Sequence, residues 1–190
     1  MTRLLRLGAL ALALPLLQGC FPLAVTGVAA GAAMIGDRRT TGIYIEDENI
    51  EWKALARIRE MSKGSHVNAT SFNRKVLITG EVPTEEEKRR VEDAVRRIEN
   101  VRDVANEIQV AGNASLASRG NDALVTSNVK ARMVNNARFS PQHVKVVTEQ
   151  GVVYLLGLVT PAEGDAAVEV ARTTSGVSRV VKVFEYLPAK

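Results

Sequence analysis

The sequence predicts an α+β fold made of two similar halves, and three observations carry that prediction. A segment repeats itself at an offset of 77 residues, each copy reads in the order α-β-β-α-β, and a short polar stretch separates the copies. The repeat is clearest where Lys75-Val-Leu-Ile-Thr-Gly-Glu-Val82 aligns with Val152-Val-Tyr-Leu-Leu-Gly-Leu-Val159, setting Gly80 on Gly157 and Val82 on Val159. Farther on, Val91-Glu92 meets Val168-Glu169 and Ala94 meets Ala171. Val101 and Val104 meet Val177 and Val180 after a one-residue slip.

The first helix is expected near 50–62, because Ile50, Ala54, Ile58 and Met61 recur at helical spacing on one face. Two short β runs follow at 66–72 and 75–82, and a second helix at 84–98 carries Val91, Ala94, Val95 and Ile98 on one stripe. Thr84 before Glu85, Glu86 and Glu87 is a helix N-cap with acids in the first turn, where the dipole favours them. A last β run at 101–110 closes the first half. The second half repeats the series at 122–136, 143–149, 152–159, 161–174 and 177–187. Its strand assignments rest on alternation and β-branching in Val144–Thr148 and Val152–Leu156, with Gly151 at the turn between them. Residues 111–121, rich in Gly, Ala, Ser and Asn, read as a linker.

The N-terminus reads as an export signal. Arg3 and Arg6 precede an uncharged run from Leu7 to Leu17, and Leu17-Gln18-Gly19-Cys20 resembles a bacterial lipobox, in which the Cys is diacylated and becomes the new N-terminus. The expected organisation is a signal peptide at 1–19, an acylated tether at 20–49, a first domain at 50–110, a linker at 111–121 and a second domain at 122–188. A membrane span is the competing reading, since no charge occurs between Leu7 and Gly36. Pro15, Gly19 and Pro22 interrupt that stretch, and its second half is mostly Ala and Gly. The lipid anchor is the better reading, because three acyl chains exceed the two signals that stable anchoring requires. Phe21 after the Cys resembles the outer-membrane sorting choice.

Charge and composition narrow the function. Lys and Arg number 25 against 21 acids; removing residues 1–19 takes the basic count to 23, leaving about +2. That is a weak basis for nucleic-acid binding. One Cys and two histidines, His66 and His143, make neither a disulfide nor a Cys/His zinc site. His143 is expected to begin a strand, with no nucleophile beside it. Glu46-Asp47-Glu48 falls in the expected tether, Glu85 to Arg90 is a solvated helix face, and Gly27 to Gly36 lacks the Lys-Ser/Thr ending of a phosphate loop. No enzyme activity, metal or cofactor is expected.

The order α-β-β-α-β, the Gly-x-Val segments (Gly80, Val82; Gly157, Val159), the alanines of the second helix and the Gly176-Val177-x-x-Val180 entry to the last strand resemble the BON domain. A lipobox ahead of two such domains resembles the dual-BON outer-membrane lipoproteins, over essentially the whole chain. Two positions depart in the first half: Arg74 stands where the hairpin often has Gly, and Asn100 stands where the second half has Gly176. The resemblance implies two helices packed on a three-stranded mixed sheet in each domain. It also implies binding of anionic phospholipid through the second domain's first helix, with roles in envelope integrity and at the division site.

That helix can be tested against the residues. On a wheel starting at Leu124, the core stripe Val125, Val129 and Met133 lies at about 100–180°, while Leu124, Ala131 and Val134 fall near 0°, 340° and 280°. Lys130 and Arg138, at about 240° and 320°, flank this second face. An apolar patch with cations suits an anionic membrane surface. Packing against the first domain, or contact with an envelope protein partner, are the alternatives. Trp52 also lies off its helix's core stripe, as an edge or interdomain packing residue or a membrane contact.

Overall fold

The computed structural model describes residues 36–188. Cys20, the signal segment and the tether up to residue 35 lie outside the described residues. The first half runs α1 (Thr41–Met61), β1 (His66–Phe72), β2 (Lys75–Val82), α2 (Glu85–Arg96), β3 (Asp103–Asn106) and β4 (Gln109–Val110). The second runs α3 (Leu116–Val134), a 3-10 turn (Pro141–His143), β5 (Val144–Glu149), β6 (Val152–Val159), α4 (Pro161–Arg172) and β7 (Arg179–Tyr186).

Each half has a mixed sheet with its second strand at the centre. β2 pairs antiparallel with β1 and parallel with β3, and β4 extends the parallel edge; β6 pairs antiparallel with β5 and parallel with β7. The antiparallel pairs need only tight turns, whereas the parallel pairs need crossovers, which α2 and α4 supply. Both hairpins turn through two left-handed residues, Asn73-Arg74 (φ 52° and 65°) and Gln150-Gly151 (φ 49° and 72°), the conformation that matches strand twist. Gly80 and Gly157 are required for a steric reason. A Cβ on either would overlap a backbone carbonyl oxygen opposite it, that of His66 in β1 and that of His143 just before β5.

Two helices cover one face of each sheet. Ile50, Ala54 and Ile58 of α1 and Val91 and Val95 of α2 pack on Val76, Ile78 and Val82. Val125, Val129 and Met133 of α3 and Ala167, Val170 and Ala171 of α4 pack on Val153, Leu155 and Val159. The alternate residues of the central strands point the other way and are buried too. Phe72 and Leu77 from the first half meet Val152, Tyr154, Leu156, Leu158 and Val183 from the second. The sheets therefore meet face to face, and each large side chain removed from water there contributes roughly 1.5–3 kcal/mol.

Several elements differ from the sequence expectation. α1 starts at Thr41, with the Thr40 hydroxyl accepting from Ile43 N, so Glu46-Asp47-Glu48 lies on a helix and not in a tether. Asp47 is buried. α3 starts at Leu116, capped by Ser115, and takes in half of the expected linker; Gly120, a poor helix former, disguised it. The last strand of the first half is split, because the Asn106 side chain accepts from Ile108 N at 3.2 Å and turns the chain there. His143 ends a 3-10 turn, and the strand begins at Val144. Met61, expected in the core stripe, is 37% exposed at the last turn of α1.

Candidate functional site

The outward face of α3 is apolar and solvent-facing. Leu124 is 65% and Val134 67% exposed, so neither packs against the first half. Ala131, Lys130 and Arg138 are exposed as well. The structure adds Leu116, 82% exposed, which the sequence reading placed in the linker. Its signal was present: Leu116 stands eight residues before Leu124, on the same side of a continuous helix. Leu116, Leu124, Ala131 and Val134 fall within an arc of about 80°.

Charge on this helix is one-sided. Its single acid, Asp122, is buried and turned toward the hairpin, where its carboxylate accepts from Gln150 N (2.9 Å) and Gly151 N (2.8 Å). Arg132 is tied down by Thr173, Thr174 and the Val170 carbonyl. Lys130 and Arg138 form no ion pair among the described residues. The face therefore offers apolar side chains with Lys130 at its edge, where it shares a cleft with Glu48; Arg138, expected on the helix, is exposed in the turn after it, because α3 ends at Val134. Trp52, on α1, is 68% exposed, which corrects the packing reading of that residue.

A second polar cluster lies where the two halves meet. Glu81, Asp122 and Glu149 are all buried there. A cleft of about 400 Å³ beside them is lined by His66, Asn68, Arg119, Asp122, Thr126 and Glu149. Glu81 accepts from Gln150 Nε2 at 2.5 Å and from Ala114 N at 3.1 Å. Glu149 lies 3.8 Å from His66 Nε2. Burial, reinforced by the neighbouring Glu81 and Asp122 carboxylates, pushes Glu149 up to about 7. Among the described residues, no group of three or more His, Cys, Asp or Glu side chains is arranged to hold a metal ion.

The segment before α1 ties to both halves. The Arg38 guanidinium pairs with Glu163 at 2.7 and 2.8 Å and donates to the Leu158 carbonyl at 2.8 Å. Arg39 pairs with Asp37 (2.7 Å) and Asp47 (2.9 Å) and stacks on the Phe72 ring at 4.0 Å. Among the described residues, no helix is long and apolar enough to cross a membrane.

Comparison with known proteins places this arrangement. The BON domain family matches residues 46–112 and 121–188. The chain is 38% identical to Outer membrane lipoprotein DolP of Haemophilus influenzae over 174 residues, spanning 90% of each protein. It is 31% identical to the 21 kDa hemolysin of Actinobacillus pleuropneumoniae, over 80% of this chain and 79% of that one. Osmotically-inducible protein Y of Escherichia coli is 26% identical, over 82% of this chain and 80% of that one. Two matched domains, and a lipoprotein relative aligned along nine-tenths of its length, settle the family: this chain belongs to the BON-domain proteins, as a dual-domain lipoprotein anchored by lipid at the periplasmic face of the outer membrane.

Proposed function

We propose that the protein is a non-catalytic, lipid-anchored binding module that recognises anionic phospholipid through the outward face of α3. The observation that carries this reading is the composition of that face: Leu116, Leu124, Ala131 and Val134 are exposed along one side of α3, with Lys130 on the helix and Arg138 exposed in the turn after it. Apolar side chains inserted at the headgroup boundary and cations outside it are the two components of interfacial binding. Each basic side chain near an anionic surface is worth about 1 kcal/mol. Terms of that size are too small to anchor a protein but large enough to redistribute one that Cys20 acylation already holds. On this reading the protein supports outer-membrane integrity by gathering where negative headgroups are dense, the division site included.

The test is vesicle co-sedimentation of the full mature chain carrying Cys20→Ser, comparing phosphatidylglycerol with phosphatidylethanolamine vesicles. Binding to the first and not the second, with at least a tenfold loss on Leu124→Glu, is expected. Equal or absent binding to both lipids sinks the reading. Crosslinking from position 124 in cells addresses the rival role as an adaptor for an envelope machine: a discrete protein adduct there would favour it.

A further inference from the structure

The seam between the halves is apolar at one end and acidic at the other, and the repeat shows where the difference arises. Along β2, Val76, Ile78 and Val82 face the helices, so the alternate residues Leu77, Thr79 and Glu81 face the second half. The 77-residue offset sets Thr79 on Leu156 and Glu81 on Leu158, so two positions that are leucine in one half are a hydroxyl and a carboxylate in the other. Both are buried, Thr79 at 2% and Glu81 at 0% exposure. A leucine fills such a place without the cost that a buried charge carries, so stability alone does not account for the acid.

Acids from the two halves cross this seam in opposite directions. Glu81, of the first half, accepts from Gln150 Nε2 in the second and from Ala114 N just before α3. Glu149, of the second, faces His66 on β1 and takes hydrogen bonds from Asn68 and Thr79 of the first half. Asp122 of α3 stands beside them, its carboxylate already bonded to the Gln150 and Gly151 amides. Arg119 of α3 lines the same cleft but donates to the Ala114 carbonyl, and among the described residues it pairs with none of the three acids. His66 is kept neutral by burial and by Arg119. Tyr154 of β6, at the apolar end, is neutral as well, pushed up to about 12 chiefly by burial; its other charged neighbours, Glu107 and Arg179, are of opposite sign. Three buried carboxylates facing one cation cannot all ionise, and one of them must keep its proton. Burial and the other two acids make it Glu149, which stands at about 7.

We propose that the acidic end of the seam is a proton-operated latch between the two domains, closed while Glu149 carries a proton and loosened when Glu149 ionises against Glu81 and Asp122. The apolar end, where Phe72 and Leu77 meet Tyr154 and Leu156, buries several large side chains and keeps the halves joined, so only the acidic end opens. The sign follows from the proton count. The closed form holds a proton that the open form gives up, so closure is firmest in acid and weakens as pH rises through about 7. His66 runs the other way, since the closed cleft favours its neutral form. What the latch releases is the start of α3: Ala114 N and the Gln150 side chain both hang on Glu81, and α3 begins two residues after Ala114. The latch does not depend on the phospholipid reading and is tested without vesicles.

The experiment is amide exchange by NMR on the isotope-labelled mature chain carrying Cys20→Ser and His66→Gln, the second change removing the opposing titration. Between pH 5 and pH 8, protection of the Ala114 amide, corrected for its intrinsic exchange rate at each pH, is expected to fall by at least about tenfold. The Gln150 side-chain amide signals should move toward their solvent-exposed positions over the same range. Ala114 should also exchange at least about a hundredfold faster than Ile78 and Leu155 in the central strands, which marks a local opening and not unfolding of the whole. Glu149→Gln, uncharged and of the same shape, should hold both readouts at their pH 5 values up to pH 8. Glu149→Met takes its place should thermal melting show that variant unfolded. Protection that is the same at the two pH values overturns the proposal. So does a fall that survives loss of the Glu149 carboxylate, or an Ala114 amide that opens only as often as Ile78 and Leu155.

Discussion

Asp47 and Asp122 hold equivalent places in the two halves, each on the inner side of a first helix with its carboxylate bonded to both backbone N–H groups of the hairpin turn beyond. Asp47 accepts from Asn73 N at 2.8 Å and Arg74 N at 2.7 Å; Asp122 accepts from Gln150 N at 2.9 Å and Gly151 N at 2.8 Å. The pairing has a physical cause. Both turns fold back under their helices, and a turn N–H buried without a partner costs about 1–3 kcal/mol. Asp47 carries two further bonds, from the Ser71 hydroxyl at 2.6 Å and from Arg39.

The first prediction follows from that inequality. Asp122→Ala strands two backbone donors and should cost roughly 2–3 kcal/mol, whereas Asp47→Ala also strands the buried Ser71 hydroxyl and takes one of its two carboxylates from Arg39, which keeps Asp37, and should cost roughly 3–4 kcal/mol. Urea unfolding of the two variants measures both, and losses below about 1 kcal/mol would show that the turns hold themselves.

Arg74 gives a prediction of opposite sign. It sits at φ 65° where its counterpart in the other half is Gly151, and a non-glycine residue pays about 1–2 kcal/mol in that region. Its Nε is also buried with no hydrogen-bond partner. Arg74→Gly creates an Asn-Gly turn, the preferred pair for this hairpin, and keeps the backbone bonds to Asp47 and from Arg102 N. After allowing for the extra freedom of Gly in the unfolded chain, a gain of about 0.5–1 kcal/mol is expected. A lower midpoint in thermal unfolding would contradict it.

These residues also show where sequence reasoning reached and where it stopped. The strands were legible to the residue at 66–72, 75–82 and 152–159, because alternation and turn residues bound them on both sides. The second helices were legible from their caps, Thr84 above all, whose hydroxyl accepts from Glu87 N at 3.1 Å. The first helices were read short because their opening turns lack an apolar stripe. Residues 41–49 and 116–121 are helical through capping by Thr40 and Ser115, and Asp47 and Asp122 face inward as polar residues that a hydrophobic pattern marks as outside. The outward face of α3 was legible from Leu124 onward by helical spacing alone. The pairing of the segment before α1 with the second half was not, since Arg38 and Glu163 are 125 residues apart and only the fold brings them together.

Glu149 predicts the pH dependence of stability. Its folded pKa of about 7 lies above the ordinary 4.5, so between those values the native state holds a proton that the unfolded chain releases. The stabilisation is complete below about pH 4.5, declines as pH rises, and is gone above about pH 7, a difference on the order of 3 kcal/mol. His66 works against it, since burial and the nearby Arg119 hold its pKa below the usual value and favour its neutral form. The comparison is therefore cleanest in a His66→Gln background. There, Glu149→Gln should flatten the decline between pH 4.5 and 7 and raise stability at pH 8. An unchanged slope in urea titrations across that range would place the proton elsewhere.

Leu116 separates the two exposed apolar surfaces. It is the first residue of α3 and 82% exposed, so Leu116→Glu removes nothing from the core and puts an acid where the helix dipole favours one. Thermal stability should change by less than about 0.5 kcal/mol. Binding to phosphatidylglycerol vesicles should nonetheless fall about tenfold, the loss expected when a side chain worth at least 1.5 kcal/mol leaves an apolar contact. Trp52→Glu, on the exposed side of α1, should leave vesicle binding unchanged, because it lies outside the Leu116–Val134 face and the acyl anchor is absent from that assay. If instead Trp52→Glu weakens binding and Leu116→Glu does not, the membrane contact belongs to the first domain, and the cations beside α3 serve something other than lipid.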